Sequence, residues 1–252
     1  MQFKSVYISA ILVAGLSAPI CRGAIQEIKS FSEIQPFVDK DTLLVFDVDN
    51  TLLTPTTSIG SDQWFYCLYD VARVKPLQDK KMDSKLMKFW NRVQSKIKVR
   101  AVEPSVPGWI SQQQQKGIPT LGLTARTSDI LSVTRRQLAS IGIKLENNTI
   151  YKGLLKISKK VLHSNDEAVF SHGVLSVGES NSKGLVFSEF LRKLKFVPKK
   201  VVYVDDREKH VKSMEVELKK AGIPYYGFRY GALDTEVKSF KCESTVPLNL
   251  FL

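Results

Sequence analysis

Apolar and polar positions alternate between two periods along most of this chain. Short apolar runs at 42–47, 118–123, 143–145, 200–204 and 224–229 read as strands. Between them lie stretches with a helical repeat: Leu131, Thr134, Leu138 and Ile141, then Val186, Phe190, Leu191 and Leu194, then Val211, Met214, Leu218 and Ala221. Three helical patterns end on Gly-Ile, in QQQQKGIPTLGLTAR, RRQLASIGIKL and ELKKAGIPYYGF. Gly117, Gly142 and Gly222 therefore suit the left-handed position just past a helix end. Strands alternating with helices of this length predict an α/β fold, a Rossmann-like parallel sheet flanked by helices.

One long stretch breaks the alternation. Residues 55–116 carry two helical patterns, Trp64, Leu68, Val71 and Ala72, then Met82, Leu86, Phe89, Trp90, Val93 and Ile97. That is too much chain for a loop between two strands and predicts a mainly helical cap inserted in a core of 24–54 and 117–252. Trp64, Phe65, Tyr66, Trp90 and Trp109 are expected to pack that cap. A smaller irregular region, 148–180, contains AVFSHGVLSV, a hairpin candidate.

The first 23 residues read differently. Lys4 precedes the apolar run VYISAILVAGLSAPI, followed by CRGA and a polar segment. A run of that length suits the apolar region of a signal peptide and is short for a membrane span. Residues 1–23 are thus expected to be a leader, and the mature protein to be periplasmic or secreted without a stable membrane anchor. Cys67 and Cys242 would remain. They can pair in an oxidising compartment, or Cys67 can be a buried thiol on a helix's apolar face, and both readings stand.

With 252 residues and 43% hydrophobic content the chain can bury a full core, and disorder is not expected. The formal charge of +12 would suit an anionic partner. No motif with interleaved aromatics and basic residues appears, so nucleic acid is not an expected partner.

Candidate chemistry sits where the strands end, because ligands of open parallel sheets bind outside the carboxyl edge. The first strand runs into Asp47 and Asp49, the second into Thr124, and the strand VVYV into Asp205 and Asp206. Lys183 opens a helix, with Ser182 as its N-cap. Crowded acids repel one another, and a hard divalent cation such as Mg²⁺ relieves that repulsion. A carboxylate can attack phosphorus, a second acid two residues on can move the proton, and a lysine and a hydroxyl can hold phosphoryl oxygens.

DVDNT, the Thr of GLTAR, the Lys of NSKG and the acids of VYVDD, in that order, resemble the four motifs of the haloacid dehalogenase (HAD) superfamily. The resemblance spans residues 42 to 230. It implies Asp47 as nucleophile, Asp49 as general acid/base, and Thr124, Ala125 and Lys183 as the phosphate-binding group. It also implies Mg²⁺ held by Asp47, Asp205 and the backbone carbonyl of Asp49. An acid at position 49 is typical of the superfamily's phosphatases and phosphomutases. Asn50 departs mildly from the glycine commonest there, and Asn tolerates unusual backbone angles. The N-terminus, VLSVGESNSKGLVFSEFL and the helical insert are most similar to the DUF2608 group of bacterial HAD-like proteins. The implied activity is Mg²⁺-dependent hydrolysis of a small phosphate monoester through an aspartyl phosphate. The alternatives are a phosphomutase and an exported binding or effector protein without turnover. Arg126 is open between touching phosphate and a structural role, Asp206 is expected behind the metal ligands, and His163, His172 and His210 are expected at the surface.

Overall fold

The computed structural model describes residues 25–74, 82–157 and 167–242, with side chains left out at 71–84. The expected leader lies outside these residues, as do His163 and the side chains of Val71, Ala72 and Met82. Among the described residues no helix is long and apolar enough to cross a membrane.

The strands are β1 (Gln26–Ile28), β2 (Thr42–Phe46), β3 (Leu53–Pro55), β4 (Val99–Ala101), β5 (Thr120–Thr124), β6 (Leu155–Lys156), β7 (Val169–Ser171), β8 (Val174–Ser176), β9 (Lys200–Asp205) and β10 (Tyr225–Tyr230). Eight of them form one sheet in the order β1-β10-β9-β2-β5-β8-β7-β6. From β1 to β8 every pairing is parallel, and β7 and β6 add an antiparallel edge. The helices are α1 (Asp62–Val74), α2 (Met82–Gln94), α3 (Val106–Gln115), α4 (Leu131–Ser140), α5 (Lys183–Leu194), α6 (Glu208–Lys220) and α7 (Asp234–Ser239).

The central strands are mostly apolar between their ends because both faces of the sheet are covered. Successive side chains alternate between the faces. Leu44, Phe46, Val202 and Val204 pack with Val106, Ile110 and Leu138 on one side. Leu43, Val45, Val201 and Tyr203 pack with Val186, Phe190, Val211 and Met214 on the other. Gly117, Gly142 and Gly222 have φ of 80°, 86° and 67°, the left-handed turns expected from the Gly-Ile pattern.

Two expectations are corrected. The stretch 143–145 is no strand: Ile143 and Leu145 are buried beneath the sheet, and Leu145 starts a short 3₁₀ turn. The place beside β5 goes to β8, from the AVFSHGVLSV hairpin, which turns through His172 (φ 50°) and Gly173 (φ 81°). A Cβ on Gly173 would meet the Leu145 backbone at 2.6 Å, so the turn fits over Leu145 only without a side chain. The stretch 55–116 also divides. Phe65, Leu68, Leu86 and Trp90 of α1 and α2 form their own cluster with Ile130, whereas α3 packs under the sheet. Trp109 goes with α3, edge-on to Phe31 and Phe46, and packs the core rather than a cap.

Candidate active site

The residues picked out at the strand ends meet at one edge of the sheet. Asp47 extends β2, its N–H bonded to the Val204 carbonyl at 2.9 Å. The chain then turns sharply through Asn50 at φ 57°, where Asn bears the left-handed angle better than most residues. Thr51 Oγ1 accepts from the Asp206 N–H at 3.1 Å, which ties this turn to the end of β9. Lys183 arrives from the opposite side of the sheet. A Cβ on Gly184 would lie 2.0 Å from the Ser213 carbonyl, so only glycine lets the start of α5 lie this close to α6.

At the centre, Lys183 Nζ donates to Asp47 Oδ1 at 2.6 Å and to Asp205 Oδ2 at 2.7 Å. All three groups are buried. Asp205 also accepts from the Tyr203 hydroxyl and, through Oδ1, from the Arg207 N–H at 2.8 Å. Burial pushes Asp47 up to about 7, against the pull of Lys183 and with Asp205 and Asp49 adding to the rise. Burial acts the same way on Asp205, but Lys183 and then His210 hold it below its ordinary value. Asp206 lies well above its ordinary value, through burial and the nearby Asp205 and Asp47.

Carboxylate oxygens of Asp47, Asp205 and Asp206 lie within 4.8 Å of one another. Asp206, expected behind the ligands, is thus in the cluster itself. Asp47, Asp205 and Asp206 crowd together with Lys183 bridging two of them, and their mutual repulsion adds to burial in raising Asp47 and Asp206. A hard divalent cation with oxygen ligands relieves such crowding.

Asp49 points away from the cluster. Its two oxygens accept from Arg126 Nε and Nη2, each at 2.7 Å. The same guanidinium donates to Thr134, Gln137 and Gln94, the last at the end of α2. Arg126 is therefore the tether of Asp49, joining β5, α4 and the α1–α2 unit. Thr124 is buried at the end of β5, where its Oγ1 accepts from the Arg126 N–H at 3.1 Å. Ala125 lines the cleft above Asp47 together with Asp49, Lys183 and Arg126.

The cleft's outer wall holds residues that sequence reasoning passed over. Asp62 at the start of α1 pairs with Arg207, whose guanidinium also donates to the Tyr66 hydroxyl at 2.8 Å. Tyr66 in turn donates to Glu179. Burial raises Asp62 to about 6, although Arg207 pulls it down. The signal for Arg207 was its place directly after the Asp205–Asp206 pair; a lone Asp at a helix start offers none. Phe65, Tyr66 and Trp90 face the cleft as well as packing α1 against α2. His210 also lines it, half-buried, and burial with nearby Lys183 lowers it to about 3; His172 is exposed as expected.

A parallel sheet with an acid pair ending its central strand, Thr at the next strand end, Lys at a helix start and a second acid pair closing β9 makes this a haloacid dehalogenase-like protein. Its site is built from all four motifs in order. Residues 27–246 match the model of the family described as "Protein of unknown function (DUF2608)", and the chain belongs to that family. It is 25% identical over 224 residues to a "Putative outer membrane protein" of Chlamydia trachomatis serovar D, covering 86% of this chain and 82% of that one. It is 27% identical over 229 residues to an uncharacterized protein of Rickettsia prowazekii, covering 87% and 80%. A haloacid dehalogenase-like hydrolase from Streptococcus pneumoniae overlays 77% of this chain and 90% of its own with TM-score 0.43 at 13% identity. None of these likenesses bears on substrate.

Proposed function

We propose that the protein is an exported, Mg²⁺-dependent phosphatase acting on a small phosphate monoester. The observation that carries this reading is the position of Lys183. Its ammonium bridges Asp47 and Asp205 at the floor of the cleft, so an anion entering there meets a cation beside a carboxylate nucleophile. Asp47 attacks phosphorus and forms an acyl phosphate as the ester oxygen leaves. Asp49, two residues on, gives the leaving alcohol its proton and then takes one from the water that cleaves the acyl phosphate. Lys183, the Thr124 hydroxyl and the Ala125 backbone N–H hold the phosphoryl oxygens as their charge shifts. Asp47, Asp205 and Asp206, with the Asp49 backbone carbonyl, would hold Mg²⁺. When bound, Mg²⁺ would relieve the crowding of these acids, favour the ionised form of Asp47 and balance the charge on the phosphoryl oxygens.

Export is supported by the names carried by the chlamydial relatives and by a disulfide between Cys67 and Cys242, a bond that persists in oxidising compartments.

A second reading rests on Arg126. Both Asp49 oxygens accept from it, so a proton arriving on either cancels the carboxylate charge and weakens that ion pair. That favours a binding protein that keeps the site without turnover. A panel of phosphate esters, assayed with Mg²⁺ and with a chelator, separates the two. Phosphatase activity predicts metal-dependent phosphate release that Asp47→Asn abolishes, with no covalent phosphate on the variant. Absence of release from every ester would leave the binding reading.

A further inference from the structure

The cleft above Asp47 holds about 40 Å³, room for about three waters. A phosphoryl group uses that space, so the bulk that can be attached to it depends on how far the outer wall stands off. The two walls are held differently. Asp47, Ala125, Lys183 and Asp206 sit at strand ends and a helix start, on elements packed into the two cores of the sheet. The outer wall comes from α1, with Phe65 and Tyr66, and from α2, with Met87 and Trp90, and these side chains belong to a separate cluster.

Tyr66 joins that wall to the floor. Its hydroxyl accepts from Arg207 Nη1 at 2.8 Å and donates to Glu179, and the Arg207 guanidinium lies 4.4 Å from its ring centre. Arg207 directly follows the Asp205–Asp206 pair, and Glu179 stands in the segment that leads from β8 to Lys183. These hydrogen bonds, like the Asp62–Arg207 pair, can be exchanged for bonds to water. One tie cannot. Cys67, next to Tyr66, is bonded to Cys242. Cys242 ends a short strap that begins at α7. Asp234, at the start of α7, is held by Arg229 at 2.6 and 2.7 Å, and Arg229 Nε donates to the Asp206 carbonyl at 3.0 Å. Phe240, further along the strap, packs on the cluster of α1 and α2. The strap thus runs from the backbone of Asp206 to the wall on the other side of the cleft.

We propose that the Cys67–Cys242 bond fixes how far Tyr66 stands from the floor and so limits the size of the ester that the site admits. The proposal rests on the phosphatase reading for the ester itself. With the strap at its natural length, α1 cannot draw away from the core at Cys67. Tyr66 then stays between Glu179 and Arg207, and bulky leaving groups are turned away. A slack or open tie lets α1 move out as the polar bonds exchange, and the same floor takes a larger ester.

The test gives the full mature chain, with Mg²⁺, two esters of similar leaving group and different size, phenyl phosphate and biphenyl-4-yl phosphate. Cys67→Ser with Cys242→Ser opens the tie. Three glycines inserted between Phe240 and Lys241 keep the bond, as thiol titration checks, and lengthen the strap. In both variants kcat/KM for the biphenyl ester relative to the phenyl ester should rise at least about tenfold over wild type, a modest value for steric discrimination. If both esters turn over and the insertion leaves their ratio unchanged, the proposal is overturned and the phosphatase reading stands. Phenylphosphonate and biphenyl-4-ylphosphonate, which are not hydrolysed, give the same comparison as a ratio of Kd by calorimetry. If no ester turns over but the phosphonate ratio shifts in both variants, the phosphatase reading fails and the size limit holds. If wild type neither hydrolyses nor binds any of the four, the size limit fails. Amide hydrogen exchange separates a freed wall from a loosened protein. In the insertion variant α1 should exchange faster while β2 and β9 keep their rates; a rise shared by β2 and β9, or none in α1, overturns the proposal. Should the double serine variant fail to fold by circular dichroism, the insertion variant decides alone.

Discussion

Arg126→Met tests how the site is held together. The substitution keeps an unbranched side chain in a buried place and removes every donor. Five bonds disappear: two to Asp49 at 2.7 Å, one each to Gln137 at 2.6 Å, Thr134 at 3.2 Å and Gln94 at 3.3 Å. Breaking a buried ion pair costs about 3–5 kcal/mol, because the partner's charge stays behind. The Asp49 side chain is 19% exposed, so water relieves part of that. The three neutral acceptors add about 1 kcal/mol each where water cannot reach them. A loss of about 5 kcal/mol is expected, which in a protein of this size lowers Tm by about 10–20 °C. Urea unfolding followed by circular dichroism measures it. Pairing with Asp49→Asn makes a double-mutant cycle, in which the double variant should be about 2 kcal/mol more stable than additivity predicts. The catalytic signature is separate: Arg126→Met should slow esters of poor leaving groups far more than activated esters, because a free Asp49 no longer points at the ester oxygen. Stability within about 1 kcal/mol of wild type, or strict additivity in the cycle, would refute the assignment of Arg126 as the tether of Asp49.

Removing the Cys67–Cys242 disulfide frees a loop of 175 residues, and chain entropy alone puts the loss near 5 kcal/mol; Cys67→Ser with Cys242→Ser should show a loss approaching that figure in urea. Asp234 is held down to about 2 by its hydrogen bonds to Arg229 and Lys29. Its folded pKa lies below the unfolded value, so the stabilisation, about 1 kcal/mol once solvent screening is allowed for, is present above pH 4 and lost as pH falls towards 2. Asp234→Asn should therefore be destabilised at pH 7 and nearly matched to wild type near pH 2, as read from urea midpoints at the two pH values. Mg²⁺ should raise Tm, by about 2.7 kcal/mol of stabilisation at a hundredfold excess over Kd, and Asp206→Asn should shrink that shift; an equal shift in the variant would remove Asp206 from the ligands.

The order of elements and the identity of the motif residues were legible in the sequence. A strand buried on both faces must be apolar, and a helix on a sheet must repeat its apolar residues every three or four positions, so β2, β5, β9 and β10 and the helices α4, α5 and α6 declare themselves locally. The acids at 47, 49, 205 and 206 stood out because carboxylates at the end of buried strands are costly without partners. Partnership was decided by tertiary structure. Whether Ile143 to Leu145 or Val174 to Ser176 pairs with β5 depends on which backbone reaches its edge, and Gly173 closing over Leu145 gives the place to β8. Arg126 reads the same in sequence whether it meets phosphate or Asp49, since its neighbours come from β5, α4 and α2. The grouping of Asp62, Tyr66, Glu179 and Arg207, and the closure of Cys67 on Cys242, join residues over 100 positions apart. Local pattern records which face of an element is buried; which side chains meet across elements is fixed only when the helices and strands pack, because that depends on distance in space and not along the chain.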